Sequence, residues 1–209
     1  MENSNRVTVT RVVVGDAKEN CYVLVCPEAR ESIIIDPGAS ADLILRRTKD
    51  TTVRYILLTH GHRDHIGALV DVAAATHAPV AYHQGDADRM PVPADVALHD
   101  GDTLAFCGGE LRVLHNPGHT PGSISFLLDN WLFGGDTVFP GGPGNTKSPE
   151  AFKQIVRTIV DKILPLPPRT RIFNGHGLSA TVSRVRQEHE AFARRSDTEG
   201  LFGDVLWLG

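Results

Sequence analysis

The sequence predicts a mixed α/β chain in which two β-sheets pack face to face and helices cover their outer sides. Three observations lead there. Short β-branched runs alternate with amphipathic windows through both halves of the chain. The second half carries two tight-turn signals, each between two strand-like runs. With 209 residues, 41% of them apolar, the chain is long enough to bury a continuous core between two layers. No linker or low-complexity segment interrupts it, so one domain over residues 1–209 is expected.

Residues 7–14 and 22–26 are apolar or β-branched strands, and 32–35 is a third that stops at Asp36-Pro37-Gly38. Pro37 biases Asp36 towards extended backbone and Gly38 permits a sharp turn, which leaves the Asp36 carboxylate at the sheet's end. Residues 41–49 have the period of a short helix, and 53–58 is a continuous apolar run suited to a buried strand. Residues 64–76 read as one helix with Ile66, Leu69, Val70 and Ala73 along a stripe, followed by a short strand at 79–82. The runs 103–107 and 110–115 flank Gly108-Gly109, and 123–128 and 131–133 flank Asp129-Asn130. Both pairs are expected to be hairpins. Residues 149–164 read as a helix capped by Ser148, with Pro149 at its first position and Phe152, Ile155, Val156, Ile159 and Ile163 inward. A last strand at 171–173, a polar surface helix at 181–195 and an apolar tail at 201–208 complete the chain. The tail is expected to pack on the body or on a second copy of the chain.

Composition excludes several function classes. Lys and Arg number 21 against 25 Asp and Glu, a net charge of -4 without the basic surplus of a nucleic-acid binder. No apolar run approaches the roughly 18–20 residues of a membrane span. The opening Met-Glu-Asn-Ser-Asn-Arg lacks the apolar core of a signal peptide. Three cysteines (Cys21, Cys26, Cys107) are too few, and odd in number, for a disulfide scaffold. They are expected to be core or hairpin residues, with Cys21 and Cys26 on opposite faces of one strand. A cytoplasmic protein acting on a small-molecule substrate, without nucleic acid or membrane, is therefore expected.

Histidine is the unusual entry in the composition, at ten residues. Thr59-His60-Gly61-His62-Arg63-Asp64-His65 follows the buried strand and opens a helix, so four metal-capable side chains share one strand-to-helix turn. Asp64 alone would be a helix cap, and one histidine in a turn would be solvated. Three imidazoles crowded together repel one another when protonated, so the cluster calls for a cation. His119, Asp136 and His176 each stand just past a strand and beside glycine. His77, His83, His99, His115 and His189 show no such setting.

As a set, the strand-end Asp36, the His60-x-His62-x-Asp64-His65 turn, His119, Asp136 and His176 resemble the motifs of the metallo-β-lactamase-fold hydrolases, over about residues 7–189. The resemblance implies a four-layer αββα sandwich with a binuclear site at one edge. It implies one metal on His60, His62 and His119, a second on Asp64, His65 and His176, and Asp136 bridging both. Asp36 would hold a ligand imidazole by hydrogen bonding. Five imidazoles and two carboxylates suit two Zn2+ per chain, with Fe or Mn as alternatives. Two such ions about 3.5–4 Å apart lower the pKa of a shared water towards neutrality, and the resulting hydroxide attacks a carbonyl. Asp64 is assigned a catalytic role as well, orienting that hydroxide and moving its proton.

Asp136 resembles the glyoxalase II, lactonase, tRNA-processing and persulfide dioxygenase branches, whereas β-lactamases of this fold generally lack it. Gly135-Asp136-Thr137 followed by the glycine-rich 139–147 loop is similar to short glyoxalase II-like, hydroxyacylglutathione hydrolase-like enzymes. Glutathione users carry Lys or Arg nine residues past the bridging Asp. Here Asn145 stands there and Lys147 two residues on, both candidates for substrate binding, and another thiol carrier is indicated. A thioester or acyl-ester hydrolase is therefore expected. The alternatives are a mononuclear iron persulfide dioxygenase using His60, His119 and Asp136, a lactonase (with Phe139 where a Tyr is usual), and a non-catalytic metal-binding module.

Overall fold

The computed structural model describes residues 6–208. The opening Met-Glu-Asn-Ser-Asn, without an apolar leader core by sequence, lies outside the described residues. The first sheet holds β1 (Thr8–Val14), β2 (Glu19–Cys26), β3 (Glu31–Ile35), β4 (Thr52–Leu57), β5 (Val80–His83) and β6 (Val96–Leu98), side by side in chain order. The first three strands pair antiparallel, and β3 to β6 pair parallel. The second sheet runs β7 (Thr103–Phe106), β8 (Gly109–His115), β9 (Ile124–Leu128), β10 (Trp131–Gly135), β13 (Arg171–Asn174) and β14 (Ala180–Thr181). Between β10 and β13 in the chain, β11 (Val138–Phe139) and β12 (Gly142–Pro143) form a separate small hairpin.

Strand periodicity sorts the side chains into three apolar layers. Tyr22, Leu24 and Cys26 of β2 meet Val113, Phe126, Phe133 and Phe173 between the sheets. Cys21 and Val23, on the other face of β2, pack with Ile44 of α1 (Ala41–Leu45) and Leu69 and Val72 of α3 (Leu69–Thr76). Leu132 and Ile172 face outward under α4 (Pro149–Thr158) and α5 (Val182–Phe192). This is an αββα arrangement, as the alternation of runs predicts.

Four local features differ from expectation. The helix at 64–76 is two, α2 (Arg63–Ile66) and α3, broken at Gly67-Ala68. The Ala68 amide donates to the Pro37 carbonyl at 2.9 Å, and a Cβ on Gly67 would lie 2.4 Å from the Gly38 carbonyl oxygen, so the break lets the 36–38 corner seat against the helix. The helix at 149–164 begins as predicted, with Ser148 Oγ accepting from the Ala151 amide, but its last turn (Ile159–Ile163) is π-helical. The β7–β8 turn uses Cys107 and Gly108, both at positive φ, one position earlier than Gly108-Gly109. Cys107 there forms a disulfide with Cys26, 81 residues away, leaving only Cys21 free and buried among the described residues. The last inward residue of β2 meets the β7–β8 turn across the two sheets, a long-range coincidence that cysteine spacing does not reveal.

The tail packs on the body: Val205 and Trp207 are buried in the outer layer with Phe152 and Phe192. Among the described residues no helix is long and apolar enough to cross a membrane.

Candidate metal centre

Every residue singled out for metal binding lies just past the carboxyl end of a strand or in the helix that follows one. Asp36 ends β3, the 59–62 turn ends β4 and leads into α2 with Asp64 and His65, His119 follows β8, Asp136 follows β10, and His176 follows β13. The structure brings all of these together. His60 Nε2 is 3.1 Å from His62 Nδ1, and His119 Nε2 is 2.9 Å from the same atom. His176 Nε2 lies 3.2 Å from Asp64 Oδ2 and 3.3 Å from His65 Nε2. Asp136 stands between these two groups, with Oδ1 3.5 Å from His65 Nε2, and Oδ2 3.6 Å from His119 Nε2 and 3.7 Å from His176 Nε2. Glycine allows the approach. A Cβ on Gly175 would lie 2.2 Å from Asp136 Oδ1 and 2.6 Å from His65 Cε1.

Hydrogen bonds on the far side of four rings fix which nitrogen faces inward. His119 Nδ1 donates to the Asn145 carbonyl at 2.8 Å, and His176 Nδ1 to the Ala17 carbonyl at 3.2 Å. His65 Nδ1 donates to Asp36 Oδ2 at 3.0 Å. The Thr59 hydroxyl donates to Asp36 Oδ2 at 2.6 Å, so its oxygen accepts from His60 Nδ1 at 3.1 Å. His60, His119 and His176 therefore turn an unprotonated Nε2 into the centre, and His65 turns its Nε2 the same way, to be freed of its proton when a cation binds. The Nε2 atoms of His60 and His119 both close on His62 Nδ1, which can donate to only one of them, and Asp136 Oδ1 is buried without a hydrogen-bond partner. Such a convergence of bare acceptors is stable only around cations. Neutral imidazoles and carboxylates at this spacing fit zinc, iron or manganese.

The electrostatics agree. Burial pushes the His60 pKa well below its ordinary value, and the neighbouring His65, His119 and His62 push it further. Burial also lowers His62, with His119 adding to it, and lowers His119. His65 is the exception. Burial works to lower it, but the hydrogen bond and charge of Asp36, with Asp136 and Asp64 behind, carry it up to about 9.

Asp36 does more than the sequence suggests. It sits at φ 52, the left-handed region rather than the extended backbone that Pro37 favours. Its amide donates to the Leu57 carbonyl at 3.0 Å, and its carboxylate accepts from the Thr59 amide at 2.7 Å as well as from Thr59 Oγ1 and His65. These bonds hold the backbone in a conformation costing about 1–3 kcal/mol.

Two buried carboxyl groups at the site escape sequence reading. Glu19, at the start of β2, has Oε1 3.8 Å from His65 Nδ1. Burial, then the charges of Asp36, Asp136 and Asp64, push its pKa up to about 11, so it stands as a neutral acid. Asp86 lies in a 3-10 helix (Gln84–Arg89) and is 1% exposed. Its Oδ2 accepts from the Gly61 amide at 2.8 Å and its Oδ1 from the Gly122 amide at 2.9 Å. Both residues sit in polar stretches that look like turns, and nothing in their spacing marks them.

Asn145 lies beside the centre through its carbonyl, while its side-chain amide donates to Asp204 of the tail at 3.0 Å. Lys147 is exposed. His83, His99 and His115 gather away from the centre, the His83 and His115 rings stacked with centroids 3.9 Å apart. His77 ends α3, and His189 packs on Trp207.

Comparison with known proteins points the same way. A solved structure titled a B3 metallo-beta-lactamase, BLEG-1, superposes with a TM-score of 0.76 at 29% identity, covering 86% of this chain and 97% of that one. TTHA1623, solved in a di-iron-bound form, superposes with a TM-score of 0.72 at 30% identity, covering 86% and 98%. The hydroxyacylglutathione hydrolase GloC of Haemophilus influenzae is 31% identical over 195 residues, 82% of this chain and 92% of that protein. The metallo-beta-lactamase superfamily model matches residues 14–176, a span holding every residue of the centre, and the chain belongs to that superfamily.

Proposed function

We propose that this superfamily hydrolase cleaves thioesters or related acyl esters at a binuclear centre in the manner of glyoxalase II. The observation that carries the reading is the placing of Asp136 between two groups of imidazoles, with His65, His119 and His176 within 3.5 to 3.7 Å of its carboxylate and His60 and His62 beside His119. His60, His62 and His119 would hold one ion, Asp64, His65 and His176 the other, and Asp136 would bridge them. Bound there, two divalent cations supply a nucleophile at neutral pH and polarise the substrate carbonyl.

The chain's own groups do the rest. Asp64 is the most open carboxylate of the set, its side chain 37% exposed, so Oδ2 can take the proton released as water attacks. Asp36 keeps the His65 proton on Nδ1, and the Asn145 carbonyl keeps that of His119 on Nδ1. The thioester reading rests on the GloC relative, whose name specifies a hydroxyacylglutathione substrate.

Metal analysis of the purified protein, coupled to hydrolysis of S-lactoylglutathione, tests this. About two ions per chain with turnover supports it. One iron with oxygen uptake on glutathione persulfide would replace it with the dioxygenase. Turnover confined to a β-lactam would replace it with the β-lactamase activity for which BLEG-1 is named.

A further inference from the structure

The two sheets end on the same side in strands with one free edge, β1 in the first and β14 in the second. Between them the seam of the sandwich is open. A pocket of 450 Å³ lies there, lined by Val9, Arg11, Tyr22, Trp131, Arg171, Phe173, Leu178 and Ser179. That size falls within the range of small-molecule sites.

Three rings form its apolar wall. Phe173 meets Tyr22 and Trp131 edge to face, with centroids 5.5 and 6.1 Å apart. Positions that elsewhere in the seam carry apolar side chains here carry two guanidinium groups. Arg11 Nη1 donates to the Gly177 carbonyl at 2.9 Å, and Arg171 Nε to Ser179 Oγ at 3.2 Å. The Arg171 guanidinium is also laid over the Phe173 ring, 4.8 Å from its centroid. A guanidinium has five N–H donors, so each retains several for a ligand. Among the described residues neither arginine forms an ion pair, although the chain is net acidic. None of the seven proposed metal ligands lines this pocket. The loop that carries His176 into the centre carries Leu178 into the pocket's wall.

We propose that this pocket is a second binding site, for a planar aromatic carboxylate. Its ring packs along Trp131, Val9 and Leu178, since Phe133 and Arg171 already lie over the Phe173 ring, and its carboxylate is taken by Arg11 and Arg171. An aromatic ring suits a wall that includes the Trp131 indole, and paired guanidiniums match a carboxylate's two oxygens.

Titrating the metal-loaded protein with 2-naphthoate and, separately, with neutral 2-naphthamide tests the proposal by calorimetry. Saturable naphthoate binding is expected, weakened about tenfold or more for the amide and for Arg11→Gln or Arg171→Gln, since charge-assisted hydrogen bonds are lost. Equal binding of amide and carboxylate, or no saturation by millimolar naphthoate, overturns it without recourse to any variant. Binding that survives both substitutions but disappears on stripping the metal places naphthoate on the centre, and overturns it equally.

Discussion

The Asp86 carboxylate accepts the Thr120 hydroxyl at 2.7 Å, from a strand crossover that contributes no metal ligand. The same side chain holds the Gly61 and Gly122 amides, so one buried group fastens the turn of His60 and His62 to the loop of His119. Asp86→Ala should therefore weaken metal binding at that three-histidine subsite by about 10–100-fold, the usual cost of losing such support. Stepwise metal titration would show it. Equal loss at both subsites would mean that Asp86 merely stabilises the fold.

His119→Ala removes one of three imidazoles from a subsite, and Asp136→Ala removes the carboxylate between the two. Each variant should lose bound metal and at least about 100-fold in hydrolysis while its unfolding midpoint, measured without metal, stays near that of the parent. Full activity in either variant would break the assignment.

In the metal-free protein His65 should titrate near pH 9 by NMR, and Asp36→Asn should bring it down sharply. The sign of the stability effect follows. A histidine raised from 6.5 to about 9 contributes stability that is complete below pH 6.5 and lost as pH climbs through 9. His60, displaced downward, acts oppositely below pH 6.5. Metal-free wild type should thus lose stability between pH 6.5 and 9 relative to Asp36→Asn. A His65 midpoint at or below 6.5 would contradict this.

The residues proposed to hold metal were legible in the sequence because His60, His62, His119, Asp136 and His176 each stand beside glycine past an apolar run, with Asp64 and His65 in the helix that follows one of those turns, a local pattern. The layers were legible for the same reason, since alternation along β2 and β13 alone assigns each side chain to a face. What depended on contacts distant in the chain was not. Asp86 and Glu19 matter through partners in other elements, and the break at Gly67 arises from the 36–38 corner. Asp36 adopts a backbone that its own neighbour disfavours, because Thr59 and His65 overrule Pro37.

The Cys26–Cys107 disulfide closes an 81-residue separation and ties the sheets at the end of β2 away from Glu19. Reduction, or Cys107→Ser, should cost about 2–4 kcal/mol in urea unfolding, and should leave metal content unchanged because neither sulfur reaches the centre. Detection of three titratable thiols in protein unfolded without reductant would show that the bond does not form.

Trp207 reaches the centre through the backbone. It is fully buried, and its amide donates to the Gly141 carbonyl at 2.8 Å, while Gly203 and Thr146 pair at 2.9 and 3.3 Å. The tail thereby straps the 139–147 loop, whose Asn145 carbonyl sets the His119 ring. Trp207→Ala should cost about 3–5 kcal/mol from the cavity alone, so it cannot separate strap from fold. Asp204→Ala can. It removes only the hydrogen bond to the Asn145 side chain, about 1 kcal/mol in stability. If the strap positions His119, that variant should lower kcat and weaken the three-histidine subsite several-fold while its Tm barely moves. An unchanged kcat at a lowered Tm would reduce the tail to a stabilising cover over α4 and α5.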